Sequence, residues 1–487
     1  MPPSFDLRTR LLAAIGQPEA RLSRAGHLAE RGANTDAARE IAAAARAGLP
    51  QAQTQLGLCY LRGLGVPPNQ IEARRWLMLA ADGGDLTALT ELAGMALQGV
   101  SGPSDRGIFA GAAVPAEPDH ALAAGLARRA AEAGSAEGQA LLAFILVAAP
   151  AMAETPDEAD TLYHRSADAG WPLGQLGHAM ALLRDGAPEA AAEARPLLTA
   201  AAETGLPTAH FLLGALDEAA AALASATGHY RFAAEHGHTG GKTRLGLALL
   251  SGRGTALNLT EAETWLRRAA HDGDAIAAAV LGDFHATQTD ANTEEAARWY
   301  RHAAERGHAG SALALTRLIA AGAEGKPDPR ELVHWLQTAI ERGEPRAWPA
   351  LTTLILASPS MLEEPDPCHD WLRRMAAAGH GQAAFTLGLC LNGGVGLPAD
   401  EAKARREYLR AASLGLIEGM AAAAEMLLNG RGGAPDPELA RRLFTFAAKR
   451  NHAGAIYALG VLSNDAKSAH FQRAAALGHA KARLHAA

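Results

Sequence analysis

Residues 383–415 read AAFTLGLCLNGGVGLPADEAKARREYLRAASLG, and this stretch decides the fold. It begins with small residues around a Leu-Gly pair, continues through a glycine-rich segment, and ends with a tyrosine, an Ala-Ala pair and Gly415. Small residues and leucine recur at helical spacing on both sides of the glycine-rich segment, so the stretch predicts two helices joined by a turn. Gly415 follows the second helix, where the chain commonly adopts the left-handed conformation that glycine accepts most readily.

The same pattern recurs along the chain, and it ends each time at a position that we call the repeat glycine. A small residue stands four positions after every repeat glycine, leucine commonly stands eight after it, and alanine is usual four before it. Ten repeats carry an aromatic residue seven or eight positions before it, and most repeat glycines are 36 residues apart. The thirteen positions are Gly48, Gly84, Gly134, Gly170, Gly205, Gly237, Gly273, Gly307, Gly343, Gly379, Gly415, Asn451 and Gly478. A register that fixes several positions at once indicates a repeat of helical hairpins.

The composition agrees with such an array. The 487 residues include 116 Ala and 51 Gly but only 5% aromatic residues, so the helices must pack closely through small side chains. The net charge of -7 provides no excess of positive charge for binding nucleic acid or an anionic membrane. We therefore expect an all-α protein without a nucleic-acid partner.

The repeated residues resemble a known family. A small residue and Leu-Gly, then a G-x-G turn, then A-x-x-W/Y-x-x-x-A-A-x-x-G over about 36 residues, are similar to the Sel-one-like repeat family, a relative of the tetratricopeptide repeats. Clear examples are residues 52–84 and 383–415, and the resemblance covers essentially the whole chain. It implies an all-α, right-handed α/α solenoid of about 13 helix-turn-helix repeats. The first helix of each repeat, here helix A, would line a concave face, and the second is helix B; no activity is implied by the fold.

We expect one continuous array and not several domains joined by linkers. Residues 1–16 predict an N-terminal capping helix, residues 17–478 the solenoid, and residues 479–487 a partial capping helix. An insertion rich in Gly and Pro at 100–119 lengthens one turn. We interpret it as a surface loop; the alternatives are a segment that contacts a partner or one that folds back over the groove.

Motifs that suggest chemistry have a structural explanation in this register. Residues 239–246, TGGKTRLG, resemble part of a phosphate-binding loop, but His236 stands where that loop needs its first glycine. Gly241 and Gly246 instead occupy small positions of the repeat. Five histidines directly follow repeat glycines or Asn451, and no paired Cys/His spacing is present. We therefore predict no enzyme activity, no cofactor and no metal.

The sequence favours a cytoplasmic location. Three scattered cysteines favour a reducing compartment, and the N-terminal residues contain no apolar run typical of a signal peptide. No segment contains 18 uncharged apolar residues, so we expect no membrane insertion.

Recognition by a surface is the function that the sequence predicts. We expect a non-catalytic scaffold or adaptor that binds a protein or peptide partner on the concave groove, in a bacterial complex. The first alternative is a scaffold for cell-envelope assembly or polysaccharide export. The second, less favoured, is a small-ligand-binding or enzymatic role that uses the insertion at 100–119.

The resemblance to tetratricopeptide arrays implies which residues line the groove. In those arrays they flank the Leu-Gly pair of helix A, which in this register means three, six and ten positions after each repeat glycine. These positions give Thr54, Thr90, Phe144, Met180, Phe211, Asp283, Arg317, Arg346, Phe385, Glu418, Glu425 and Tyr457. Trp171 and Trp348 are further candidates, because they lie outside the aromatic register and exposed tryptophan is costly unless it is used.

Overall fold

The computed structural model describes residues 12–103, 113–115, 117–184, 186, 189–287, 292–323, 325–357, 367–463 and 469–486. These residues form α-helices of 7 to 14 residues that are joined mostly by short turns. Within each unit, most helices that follow each other along the chain pack against each other, as expected for helical hairpins. The chain divides into two compact units, Met1–Leu259 and Thr260–Ala487.

The first unit is a stack of hairpins in which odd-numbered helices are A helices and even-numbered helices are B helices. Its helices are α1 (Pro18–Glu30), α2 (Asn34–Arg46), α3 (Pro50–Arg62), α4 (Gln70–Asp82), α5 (Leu86–Leu97), α6 (His120–Glu132), α7 (Ala136–Ala148), α8 (Glu158–Asp168), α9 (Pro172–Arg184), α10 (Ala190–Glu203), α11 (Pro207–Ala219), α12 (Leu223–Glu235) and α13 (Thr239–Ser251). A short 3-10 helix, Pro150–Met152, lies between α7 and α8.

The second unit continues the same numbering and the same register. Its helices are α14 (Leu259–His271), α15 (Ala275–Thr287), α16 (Thr293–Glu305), α17 (Ala309–Ala320), α18 (Pro329–Glu341), α19 (Ala347–Ala357), α20 (Pro367–Ala377), α21 (Gly381–Gly393), α22 (Glu401–Ser413), α23 (Ile417–Leu428), α24 (Pro437–Lys449), α25 (Ala453–Leu462), α26 (Ala469–Ala476) and α27 (Ala480–Ala486). The predicted all-α repeat fold is thereby confirmed. The predicted cap at 1–16 falls largely on residues 1–11, which lie outside the described residues, and the single continuous array stays a prediction.

The insertion at 100–119 contains two short strands that the sequence analysis did not predict. β1 (Val100–Pro103) pairs antiparallel with β2 (Ala113–Pro115), so that Val100 lies opposite Pro115. The insertion carries few of the β-branched and aromatic residues that usually signal a strand. The strand pairing in the insertion therefore could not be recognised from the β-propensity of its residues.

The repeat glycines have the conformation that the sequence predicts. Their φ angles lie between +77° and +98°, and Asn451, the one non-glycine residue at this position, has a φ of +61°. Most of them have open space around the position that a Cβ would occupy. Glycine is therefore required at these positions for its backbone conformation and not for its small size.

Two turn glycines between helices A and B are required for a different reason. Gly254 and Gly432 also have positive φ, but a Cβ on them would lie 2.1 Å and 2.2 Å from the backbone oxygens of Leu223 and Glu401. Each of these contacted residues is the first residue of the preceding helix B. The turn of one repeat thus rests directly on the backbone of the repeat before it.

Small helix-A residues bring the helices close together. A Cβ added to Gly241 would lie 2.8 Å from the Ala233 methyl group, so this glycine packs on the alanine that precedes the repeat glycine by four positions. Gly388 packs in the same manner against the ring of Tyr408 in the same hairpin, since a Cβ added to Gly388 would lie 2.6 Å from that ring. Alanine and glycine thus provide flat surfaces on which neighbouring helices and rings pack, as the composition predicted.

Candidate functional site

In the first unit, two of the predicted contact residues lie on an exposed apolar surface. Phe144 on α7 and Met180 on α9 are 58% and 49% exposed, and both stand ten positions after a repeat glycine. Val147 and Leu173 on the same two helices are also about half exposed. Because α7 and α9 are neighbouring A helices in contact, these four side chains form one surface, which we call the apolar patch.

The candidate positions of the second unit line a concave site. Four A helices, α21, α23, α25 and α27, contribute to a groove with a volume of about 910 Å³. Four predicted residues, Phe385, Glu418, Glu425 and Tyr457, lie along it. We call this site the C-terminal groove, and its remaining lining residues are Leu389, Asn392, Tyr408, Ala421, Ala422, Met426, Leu428, Arg431, Phe444, His452, Gly454, Ala458, Val461, Leu462, His479, Ala480 and Lys481.

Aromatic rings form the walls of the C-terminal groove. Phe385 is half-buried and packs on Tyr408, with ring centroids 5.7 Å apart. Tyr457 stacks on His479 at 4.4 Å and contacts Phe471 edge-on at 5.6 Å. Phe385 and Tyr457 are therefore partly fixed by packing and partly accessible to a bound molecule, whereas Tyr408 is buried behind them.

The charged groups of the groove differ in how they are neutralised. Arg431 donates hydrogen bonds to the Glu401 carboxylate at 2.7 Å and to Asn392 Oδ1 at 2.7 Å. The pKa of Arg431 is raised, first because of the hydrogen bond to Glu401 and also because Glu425 lies nearby. Glu418 and Glu425 are exposed on α23, and neither carboxylate forms an ion pair within the described residues. The groove thus has one cation, Arg431, that is engaged within the protein, a second, Lys481, that is exposed on α27, and two open carboxylates.

The histidines that follow repeat glycines cap the next A helix. The Nδ1 atoms of His238, His308, His452 and His479 accept hydrogen bonds from backbone N–H groups at the start of that helix, at 3.0 to 3.2 Å. In each case Nδ1 serves as the acceptor for the start of the helix. The recurrence that the sequence analysis attributed to architecture therefore has a local cause, which is helix capping.

Three further candidates lie on A helices outside both surfaces, and a fourth, Arg346, directly precedes α19. Phe211 is half-buried and stacks on His238 at 4.5 Å, and Asp283 accepts a hydrogen bond from the Tyr300 hydroxyl at 2.7 Å. Arg317 is exposed on α17.

Arg346 is exposed at the start of its repeat and bonds Glu344 at 2.7 Å. The Arg346 hydrogen bonds lower the pKa of Glu344 to about 2. The guanidinium therefore stabilises the start of α19 in this structure.

Three of the predicted contact residues are buried, and the expectation that they face a partner is corrected. Thr54 and Thr90 are each 3% exposed, and their hydroxyls donate to the backbone of their own helices. Trp348 is 6% exposed and packs on Trp371 with ring centroids 5.6 Å apart, so it has the core role that the register did not assign to it. Trp171 is half-buried, and its indole Nε1 has no hydrogen-bond acceptor within the described residues.

A buried polar cluster in the first unit was missed by the sequence analysis. Asp217 accepts hydrogen bonds from Arg195 at 2.6 Å and from Ser225. His229 Nε2 lies 3.8 Å from the same carboxylate, and His229 Nδ1 lies 3.0 Å from His210 Nδ1. Asp217 stands twelve positions after its repeat glycine, where most repeats hold leucine, isoleucine or alanine. That departure is the signal that could have revealed the cluster.

The electrostatics of the cluster are those of a satisfied structural network. Burial acts to raise the pKa of Asp217, but the hydrogen bonds from Ser225 and Arg195 outweigh it and the pKa is lowered. Burial and the neighbouring His229 lower the pKa of His210. Within the described residues, no group of three or more His, Cys, Asp or Glu side chains is arranged to hold a metal ion. None of the described helices is long and apolar enough to span a membrane.

Comparisons with known proteins agree with the repeat register. The Sel1 repeat model matches residues 50–85, 107–135, 241–274, 275–308, 381–416 and 417–452. No curated protein matches the chain. Similar solved structures include a protective antigen of uropathogenic Escherichia coli with an SLR fold, which is 22% identical and covers 92% of this chain and 95% of its own, with a TM-score of 0.49. A Sel1 repeat protein from Oxalobacter formigenes is 22% identical, with 72% and 90% covered and a TM-score of 0.34.

Proposed function

Because this chain is a Sel1-repeat protein, and such proteins generally act as protein-interaction scaffolds, we propose that it is a non-catalytic adaptor that binds a protein or peptide partner on its A helices. The C-terminal groove is the proposed site of contact. The scaffold holds the partner through shape and a few anchoring side chains, and it carries out no chemical step.

One observation carries this proposal. Four consecutive A helices converge on a single groove in which aromatic rings, aliphatic side chains and carboxylates lie side by side. Interface centres are enriched in aromatic residues and methionine, and the surrounding polar groups provide orientation and specificity. A volume of about 910 Å³ is suited to several side chains of a bound segment.

The proposed location is the cytoplasm of a bacterial cell, as part of a protein complex. Three scattered cysteines, Cys59, Cys368 and Cys390, support a reducing compartment, since all three are buried and none forms a disulfide within the described residues. Fractionation of cells followed by mass spectrometry of the mature N-terminus tests the location. Recovery from the envelope with a processed N-terminus would favour the alternative role in envelope assembly.

Crosslinking and co-purification of the full chain test the proposed function. Val461 is 53% exposed in the groove, so Val461→Asp introduces a charge there with little disturbance of the core. Phe446 is 58% exposed on the B helix α24 and does not line the groove, so Phe446→Asp is the matched control. We expect the partner to be lost with Val461→Asp and retained with Phe446→Asp. Equal recovery by the wild type and both variants would contradict the proposed site.

A further inference from the structure

The two open carboxylates of the C-terminal groove form an ordered pair. Glu418 and Glu425 stand three and ten positions after Gly415, so they are separated by two turns on one face of α23. At 1.5 Å per residue their backbones lie roughly 10 Å apart along the helix axis. A partner that satisfies both must carry two positive groups at a similar separation.

Apolar side chains flank this pair on both sides. Phe385 and Leu389 on α21 occupy one side of the groove, and Tyr457 and Val461 on α25 occupy the other. Val461 is mostly open to solvent, and the other three are half-buried. The central acidic helix therefore lies between two apolar strips.

The positively charged groups of the groove do not neutralise Glu418 and Glu425. The guanidinium of Arg431 is engaged by Glu401 and Asn392. The Nδ1 atoms of His452 and His479 are engaged, because each accepts a hydrogen bond from a helix N–H group. Lys481 lies on α27, the last of the four helices and the one beyond α25. The charge that remains open at the centre of the groove is negative.

We propose that the C-terminal groove binds a basic amphipathic segment of a partner protein, with two Lys or Arg side chains over Glu418 and Glu425 and apolar side chains over the flanking strips. A helical segment would present such cations seven residues apart, since that spacing matches the two turns between the glutamates. Opposite charges at these positions fix the register and orientation of the segment, and the apolar strips provide most of the buried area. An acidic segment would bring like charges together and would leave the glutamates desolvated without partners. This inference rests on the proposed function and specifies the partner's chemistry.

Selection of binding peptides tests the inference with defined probes. A library of random 16-residue peptides is displayed and selected on the immobilised full chain, and enriched sequences are synthesised with a fluorescent label for anisotropy measurements. We expect enrichment of peptides with paired Lys or Arg residues between apolar residues. We expect their binding to weaken by at least ~10-fold in the double variant Glu418→Gln/Glu425→Gln. Binding should also weaken when NaCl rises from about 50 mM to about 500 mM, because screening reduces the attraction of exposed charges.

A matched charge change provides the control. Glu305 and Glu438 are exposed on B helices and do not line the groove, so Glu305→Gln/Glu438→Gln changes the net charge equally. This variant should bind within about twofold of the wild type, because its changes lie outside the proposed contact. Equal weakening by both double variants would overturn the inference, since it would indicate attraction by overall charge alone.

The outcomes separate this inference from the proposed function. One outcome is enrichment of acidic or uncharged peptides whose binding is lost in Val461→Asp but kept in Glu418→Gln/Glu425→Gln. This outcome overturns the proposal of a basic partner segment and supports the groove as a binding site. Peptides whose binding is unchanged in all groove variants overturn both. Circular dichroism of each variant establishes that the helices remain folded.

Discussion

The apolar patch and the C-terminal groove use the same positions of the repeat but have different surfaces. Ten positions after the repeat glycine, the patch has Phe144 and Met180, whereas α23 of the groove has Glu425. Six positions after it, the patch helices have Ala140 and Leu176, whereas the flanking helices of the groove have aromatic rings. The aromatic rings form the walls of the groove, whereas the patch helices have only aliphatic side chains at this position. The repeat therefore fixes where a side chain points, and the individual residue decides what that surface can bind.

The two surfaces also differ in the turns behind them. Gly432 lies in the turn that follows α23 and contacts the backbone of Glu401, whereas α7 of the patch is followed by the 3-10 helix Pro150–Met152. The shape of the groove thus depends on a contact between turn and helix for which the patch has no equivalent among the described residues.

The largest predicted effect comes from Gly432→Val. A valine Cβ would lie 2.2 Å from the Glu401 oxygen at a φ of +72°, so both the contact and the backbone conformation oppose the change. We expect the free energy of unfolding of the second unit to fall by about 3 kcal/mol. Hydrogen exchange measured by mass spectrometry should show lost protection in α21 to α24 and unchanged protection in α7 and α9.

Gly415→Ala tests the cost of the backbone conformation in the absence of the steric contact. Gly415 has a φ of +86° with open space around it, so alanine there should cost only about 1 kcal/mol. If the two substitutions destabilised the protein equally, the contact with Glu401 would have no measurable role.

The sequence predicted the fold well because the repeat depends on local requirements. Left-handed turns, close helix contacts and ring packing each restrict one position to a few residue types, and thirteen copies make these restrictions visible. Strand pairing in the insertion was missed because it occurs once, in a Gly- and Pro-rich segment with few β-forming residues.

The candidate site could be predicted only in part, because side-chain size decides exposure near the boundary of the core. Thr54 and Tyr457 both stand six positions after a repeat position, yet the threonine is buried and the longer tyrosine extends into the groove. Arg431 was missed because it lies in a turn outside the positions considered. Trp348 was taken for a surface anchor because it lies outside the aromatic register, which does not reveal its contact with Trp371 on the second helix of the same hairpin.

The second predicted effect compares binding at the two surfaces. Tyr457→Ala removes a ring that is fixed on one side and open on the other, and such anchors commonly contribute about 2 kcal/mol to binding. We expect the affinity for the co-purified partner to fall by roughly 30-fold, measured by isothermal titration calorimetry. Phe144→Ser/Met180→Ser in the patch should leave that affinity unchanged. A larger loss from the patch variant would place the main contact in the first unit.

The third predicted effect comes from the residues that cap the helices. The patch helix α7 is capped by the hydroxyl of Ser135, whereas the groove helices α25 and α27 are capped by the rings of His452 and His479. In general, protonation of a capping Nδ1 removes the acceptor and places a positive charge at a helix N-terminus, and both effects destabilise the helix.

His238 permits a quantitative test of histidine capping. Burial, and to a lesser extent Lys242, lower the pKa of His238. The unfolded chain then binds a proton at pH values where the folded chain resists it, so stability falls as pH decreases below about 6.5. His238→Asn keeps a capping acceptor and should reduce this dependence by about 1 kcal/mol between pH 7 and pH 5, measured by urea denaturation. Identical pH profiles for the two proteins would show that the cap does not titrate in this range.

The smallest predicted effect concerns the helices behind the two surfaces. Behind the patch, Arg128 on α6 donates to Glu158 on α8 at 2.6 Å, whereas the equivalent positions behind the groove hold Leu409 and Leu439. Burial acts to raise the pKa of Glu158, but hydrogen bonds from Arg128 and from backbone N–H groups outweigh it and lower the pKa. The pair therefore stabilises the first unit above about pH 4.3, and this stabilisation is lost as pH falls through the lowered value.

Glu158→Gln should reduce the free energy of unfolding of the first unit by only about 0.5 kcal/mol, because partly exposed ion pairs contribute little. The difference from the wild type should shrink in about 1 M NaCl, where charges are screened, and also at low pH, where the wild-type carboxyl is protonated. Glu203→Gln, an exposed change on α10, is the matched control and should have no effect on its own. If the stability difference between Glu158→Gln and the wild type persisted at high salt and low pH, Glu158 would act through its hydrogen-bond geometry and not its charge. The Arg128–Glu158 pair and the leucines behind the groove would then differ only in packing.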